Sequence, residues 1–178
     1  MTVCSITGER GCCLRVRAAR TEDTEPFAHV LARVAEEGLI ATEPPVDVDE
    51  RAARARETIE GGGPDALWVL EDGDRIVGAA GLTSTGAPGV FTLGMMVLPE
   101  FRGCGGGKAL LAAALEHARA SGAHKVELEV WPDNARAIAL YASAGFEVEG
   151  MRRSHYRRRD GSLRSALLMA LPLNREER

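Results

Sequence analysis

Hydrophobic and polar positions along this chain change period several times, and each change marks an element. Leu14 and Val16 alternate with Arg15 and Arg17, which predicts a strand with one buried face. Phe27, Val30, Leu31 and Val34 then recur three and four residues apart, so a helix runs from the capping group Thr21-Glu22-Asp23 to about Glu37. Pro44 and Pro45 forbid its continuation and leave an extended loop. Asp47 or Asp49 caps a second helix, from about Glu50 to Ile59, which stops at Gly61-Gly62-Gly63-Pro64. Two apolar runs within ALWVLEDGDRIVGAAGLT flank Glu71-Asp72-Gly73-Asp74, the chemistry of a hairpin turn. VFTLGMMVL, ending in Pro99, is a further strand.

Beyond it, Leu110, Leu111, Ala114, Leu115 and Ala118 form the buried stripe of a helix that ends near Gly122. Val126, Leu128 and Val130 alternate with Glu127 and Glu129, a strand with one acidic face. Pro132-Asp133-Asn134 breaks that strand and opens a short helix, ARAIALYASA, stopped by Gly145. FEVEGM is another strand, and a last hairpin turns at Asp160-Gly161 into ALLMAL. The order β-α-α-β-β-β-α-β-α-β-β describes an α/β fold, a mixed sheet with helices on its faces. We expect one domain over residues 14–173, preceded by a flexible leader at residues 1–13.

Composition narrows the class without naming a chemistry. The chain has 178 residues, 45% hydrophobic and 27% charged, as an ordinary globule does. A net charge of -4 argues against nucleic acid as a partner, because phosphates need a surplus of Lys and Arg. No apolar run reaches the length of a membrane span, and the N-terminus lacks a signal peptide's apolar core, so a cytoplasmic protein without a membrane partner is expected. Cys4, Cys12, Cys13 and Cys104 read as free thiols, with redox sensitivity a minor reading for Cys104 beside Arg102. His29, His117, His124 and His155 show no ligand spacing, so no metal is expected.

The stretch GMMVLPEFRGCGGGKALL, residues 94–111, concentrates the candidate chemistry. A glycine-dense turn between a strand and a helix N-terminus points backbone amides at one small volume, as an anionic pyrophosphate requires. A Walker loop fails at Arg102 and Ala109, and a Rossmann fingerprint fails at Lys108. What does fit is Arg102-x-x-Gly105-x-Gly107 after Val97-Leu98-Pro99. This pattern resembles the acetyl-CoA-binding motif of the GNAT superfamily, the GCN5-related N-acetyltransferases. A second signature of that family follows in order: Asn134, Ala137, Leu140-Tyr141 and Gly145-Phe146. The resemblance covers roughly residues 66–171, and the ending FEVEGMRR, RRDGSL and LLMAL is similar to the amino-acid and ribosomal-protein acetyltransferase-like members.

The resemblance implies a mostly antiparallel sheet in which the strand before the turn is splayed from its neighbour by a bulge, and Gly94 tolerates one. It implies that acetyl-CoA is the acyl donor. Main-chain groups of Met96, Val97 and Leu98 are then expected to hold thioester and pantetheine, and Arg102, Gly103, Gly105, Gly106, Gly107 and Lys108 the pyrophosphate. Tyr141 is expected as the general acid toward the departing thiolate, and Asn134 as a cofactor contact, a helix N-cap, or both. The family's usual strand carboxylate is replaced by Thr92, so the base is sought at Glu129, acting through a water, with Glu127 and Glu43 as alternatives. Arg152, Arg153, Arg157, Arg158 and Arg159 read as a solvated strand face, or as a contact for an acidic acceptor, a partner or the CoA 3′-phosphate. The expected reaction is direct acetyl transfer to a primary amine of a small molecule such as an amino acid, amine metabolite or antibiotic. A protein N-terminus or lysine is the alternative acceptor, a non-catalytic acyl-CoA sensor the alternative class, and family analogy leaves a homodimer open.

Overall fold

The structure, a computed structural model, describes residues 4–7 and 13–173. Its elements in chain order are β1 (Cys4–Thr7), β2 (Cys13–Ala18), α1 (Thr24–Ala35), α2 (Val48–Glu60), β3 (Ala66–Asp72), β4 (Arg75–Ser84), β5 (Val90–Val97), α3 (Gly106–Ala120), β6 (Lys125–Val130), α4 (Ala135–Ser143), β7 (Glu147–Arg157) and β8 (Leu163–Pro172). Among the described residues eight strands form one sheet in the order β1-β2-β3-β4-β5-β6-β8-β7, and β5–β6 is its one parallel pair. Where a leader was expected, Cys4–Thr7 pair with β2 from Cys4↔Val16 to Thr7↔Cys13. Cys13 opens β2, and residues 1–3 and 8–12 of that leader lie outside the described residues.

The elements follow from the patterns in the chain. Asp47 caps α2 by accepting the Glu50 amide at 2.9 Å. α1 begins one turn later than its capping group, because Thr21–Asp23 form a 3-10 turn. There the buried Asp23 carboxylate takes the Arg17 guanidinium at 2.6 Å, and Arg17 also holds Glu71 on β3 at 2.5 Å. Ile76–Ala80 of β4 are buried without alternation, so that strand is covered on both faces. α3 supplies one cover across β2, β3, β4 and β5, while α1, backed by α2, packs on β4 and β5. On β6, Val126, Leu128 and Val130 are buried and Lys125, Glu127 and Glu129 only half so, as the alternation requires.

Candidate active site

β5 and β6 pair over three rungs only: Val90↔Lys125, Phe91↔Val126 and Thr92↔Glu127. Both strands run on past that point, β5 paired with β4 to Val97 and β6 paired with β8 to Val130. The sheet therefore opens between them. The expected bulge at Gly94 is absent, since the β4–β5 register is unbroken through Gly81↔Gly94. Each strand instead follows its other neighbour, and the parting results.

The ladder decides which backbone groups face the opening. The Leu98 amide donates to Val77 O at 2.9 Å. Because amides alternate along an antiparallel strand, Met96 and Gly94 direct theirs to β4 as well, and Met95 and Val97 direct theirs to the open side. Met96 and Val97 line the cavity in the opening, about 490 Å³ in volume. Leu98 does not: it is 2% exposed and its amide is committed to β4. Met95, which sequence reasoning missed, takes its place on the wall. Strand parity was the available signal, but it needs the register to be read.

At the mouth of the turn, Gly103 and Gly105 adopt φ of 80° and 84°, the left-handed region where a Cβ is strained. Gly105 precedes α3, and the first bond back into the turn runs from the Ala109 amide to Gly105 O at 3.1 Å. The amides of Gly106, Gly107 and Lys108 thus have no intrahelical acceptor. Gly103, Gly105, Gly107 and Lys108 line the cavity, whereas Gly106 is buried on the other side of the helix. A Cβ on Gly106 would stand 2.5 Å from Leu70 Cδ2, so this glycine lets α3 lie close to the sheet. Arg102 lines the cavity too, but its guanidinium clasps Glu37 with two bonds of 2.6 Å and its Nε donates to Val97 O at 2.8 Å. Lys108 and Arg136 face the cavity without an ion-pair partner among the described residues. Arg136 also escaped sequence reasoning, although it stands one helical turn before Leu140, a residue of the matched motif that shares the wall.

Asn134 is the N-cap of α4, its Oδ1 accepting the Ala137 amide at 3.2 Å, and the residue also lines the cavity. Tyr141 follows two turns on, 6% exposed and on the cavity wall. Its hydroxyl makes no hydrogen bond with a described residue. Burial pushes this phenol up to about 12, so it keeps its proton at neutral pH.

The carboxylate candidates separate clearly. Glu129 lies on the part of β6 beyond the last rung to β5, and the cavity wall does not include it. Tyr156 donates its hydroxyl to Glu129 Oε2 at 2.5 Å, and Arg152 stands 3.2 Å from Oε1. Glu127 sits in the last rung, opposite the exposed Thr92 and 3.7 Å from Lys125. Glu43 is an ordinary structural carboxylate that pairs with Arg158 at 2.6 Å and accepts the Arg159 amide at 3.1 Å. With Ala41 O and Gly38 O bound by Arg158 and Arg164, it pins the loop between α1 and α2 to the β7–β8 hairpin. Arg153, Arg157 and Arg159 are exposed, and Cys104 is packed in the core. Among the described residues no group of three or more His, Cys, Asp or Glu side chains is arranged to hold a metal.

A strand parted from its neighbour, a left-handed glycine turn and a helix N-terminus meet at this cavity, and the Acetyltransferase (GNAT) family model matches residues 22–146. The chain belongs to this family. Acetyl-CoA is the acyl donor of GNAT acetyltransferases, and the glycine cradle, which a Cβ would strain, fits its pyrophosphate. An uncharacterized Mycobacterium leprae protein is 32% identical over 153 residues, 76% of this chain and 39% of that one. The [Ribosomal protein bS18]-alanine N-acetyltransferase of Escherichia coli K12 is 35% identical over 104 residues, 52% of this chain and 70% of the enzyme. The chain thus spans less than two thirds of the first relative and little more than that of the second. Among solved structures, the ribosomal-protein-alanine N-acetyltransferase of Brucella melitensis superposes with a TM-score of 0.80 at 26% identity, covering 89% of this chain and 99% of that one. No helix among the described residues is long and apolar enough to cross a membrane.

Proposed function

We propose that this GNAT acetyltransferase transfers the acetyl group of acetyl-CoA to the α-amine of a protein N-terminus. The observation that carries the reading is the parting of β5 from β6 beyond Thr92↔Glu127, with Tyr141 on the wall of the opening and Glu129 on its far strand. Similarity to the Escherichia coli enzyme named for an alanine of ribosomal protein bS18 favours an N-terminal amine over the small amine that the sequence put first. Amine chemistry favours it over lysine. An α-amine titrates near 8 and a lysine near 10.4, so at neutral pH far more of the former is already the neutral nucleophile.

In this mechanism, the amides of Gly105, Gly107 and Lys108 and the charges of Lys108 and Arg136 hold the donor's pyrophosphate. The Met95 and Val97 amides extend β5 along the pantetheine arm and meet the oxygen charge that develops on the thioester. Glu129, directly or through a water, takes the proton that the amine nitrogen sheds as the N–C bond forms. Tyr141 supplies a proton to sulfur as the C–S bond breaks. With its phenol near 12, that proton moves only as negative charge builds on the sulfur. The cytoplasm expected from the sequence suits this acceptor.

The test is acetyl-CoA with three acceptors: a peptide bearing an N-terminal alanine and an internal lysine, the same peptide with its α-amine blocked, and a panel of free amino acids and small amines. Thiol release measures turnover, and fragmentation mass spectrometry locates the acetyl group. Release with the first peptide alone, modified at its α-amine, is the expected result. Faster release with a small amine, or acetylation confined to lysine, contradicts the assignment.

A further inference from the structure

β7 is irregular where it passes Glu129. Arg152 stands opposite Ala166 and Tyr156 opposite Arg164, so four steps on β7 answer two on β8. Two extra residues are looped out there, and Ser154 within them has φ of 49°, a left-handed conformation that a non-glycine residue adopts at a cost. The distortion is held by the Ser154 amide, which donates to Ser165 Oγ at 2.9 Å. With an unbroken register Tyr156 would stand opposite Ser162, roughly 7 Å farther along the strand from Glu129. The bulge is what brings Arg152 and Tyr156 to the same carboxylate.

The ring of Tyr156 is gripped as well as placed. Trp131 packs edge-on against one part of it at 5.1 Å and His155 against another at 5.0 Å. Arg158 and Arg164 lie over the Trp131 ring, so the support reaches back to the loop between α1 and α2. A phenol held this firmly with its hydroxyl on Glu129 Oε2, opposite a guanidinium on Oε1, leaves the carboxylate little freedom to rotate.

We infer that Tyr156 is a positioning residue for acetyl transfer: seated by the Ser154 bulge, it fixes the Glu129 carboxylate in the orientation that receives the acceptor's proton. This rests on the proposed role of Glu129 as the base. Tyr156 acts through that residue. The groups that face its hydroxyl are Glu129 from β6 and Arg152 from β7, with His155 packed against the ring and meeting Arg152; Glu127 and Lys125 share the Glu129 face of β6. Burial first and Glu129 second push the Tyr156 phenol up to about 12.

The chain has two tyrosines, Tyr141 and Tyr156, so their ionisation can be followed by ultraviolet absorbance without interference from others. In the full-length Glu129→Gln variant one tyrosine should titrate at lower pH than in the wild type while the other stays near 12. An unchanged titration would mean that the contact does not exist in solution, and the inference would fall. Turnover with an alanine-initiated peptide supplies the second arm. Tyr156→Phe keeps the ring packing and should lower kcat about tenfold with KM for acetyl-CoA unchanged. Glu129→Gln should lower kcat about a hundredfold, and the double variant should match Glu129→Gln alone. Losses that multiply in the double variant would show Tyr156 acting independently and overturn the positioning role. Full turnover by Glu129→Gln would instead remove the base assignment, recognisable because the tyrosine titration would still shift.

Discussion

Tyr141 shows how the surroundings of one side chain suit it to the role proposed for it. It is buried, unbonded at its hydroxyl among the described residues, and on the wall of the donor cavity. A structural tyrosine in the same burial would be expected to find a hydrogen-bond partner for that hydroxyl. Tyr141→Phe should therefore lower kcat about a hundredfold while leaving the affinity for acetyl-CoA within about twofold, as read by steady-state kinetics and calorimetric titration. Unchanged turnover would remove the general-acid role. Residues of this kind were legible beforehand, because Asn134, Tyr141 and the turn glycines are recognisable by type and spacing. Leu98 and Gly106, expected in the site, lie off the cavity wall for a physical reason. Whether a strand amide or a helix-start glycine faces the ligand depends on parity and rotation, and sequence spacing leaves both undetermined.

At the scale of elements, the site is assembled by ties between segments far apart in the chain. Arg102, at the start of the glycine turn, clasps Glu37 just past α1, which ties the turn directly to the α1–α2 loop. The fork geometry matters here, since a lysine cannot make both bonds. Arg102→Lys should raise KM for acetyl-CoA roughly fivefold with little change in kcat; an unaltered KM would show that the clasp does not position the turn. Caps and apolar stripes located most elements to within a few residues, because burial of one face imposes a period on the sequence. β7 is the instructive exception. FEVEGM announced a short strand, yet β7 runs to Arg157. It lies at the edge of the sheet with nearly every residue exposed, so burial imposed no alternation to read. For the same reason the bulge at Ser154, and with it the contact from Tyr156 to Glu129, left no trace in the pattern.

Across the whole molecule, the decisive feature is an interrupted ladder in an otherwise continuous sheet. β4 and β8 each hold their own neighbour, and the space left between β5 and β6 exposes a strand edge that a pantetheine arm can complete. The α/β class and the order of elements followed from the sequence, whereas the length of the shared ladder did not, because it depends on how far each strand follows its other partner. Backbone amide exchange by NMR, with and without acetyl-CoA, shows directly whether the donor lies in this opening. On binding, the Met95 and Val97 amides should become strongly protected together with those of Gly105, Gly107 and Lys108, while Met96 and Leu98, already bonded to β4, change little. Saturating acetyl-CoA that leaves Met95 and Val97 exchanging as before would contradict that, and would place the donor somewhere other than the opening between β5 and β6.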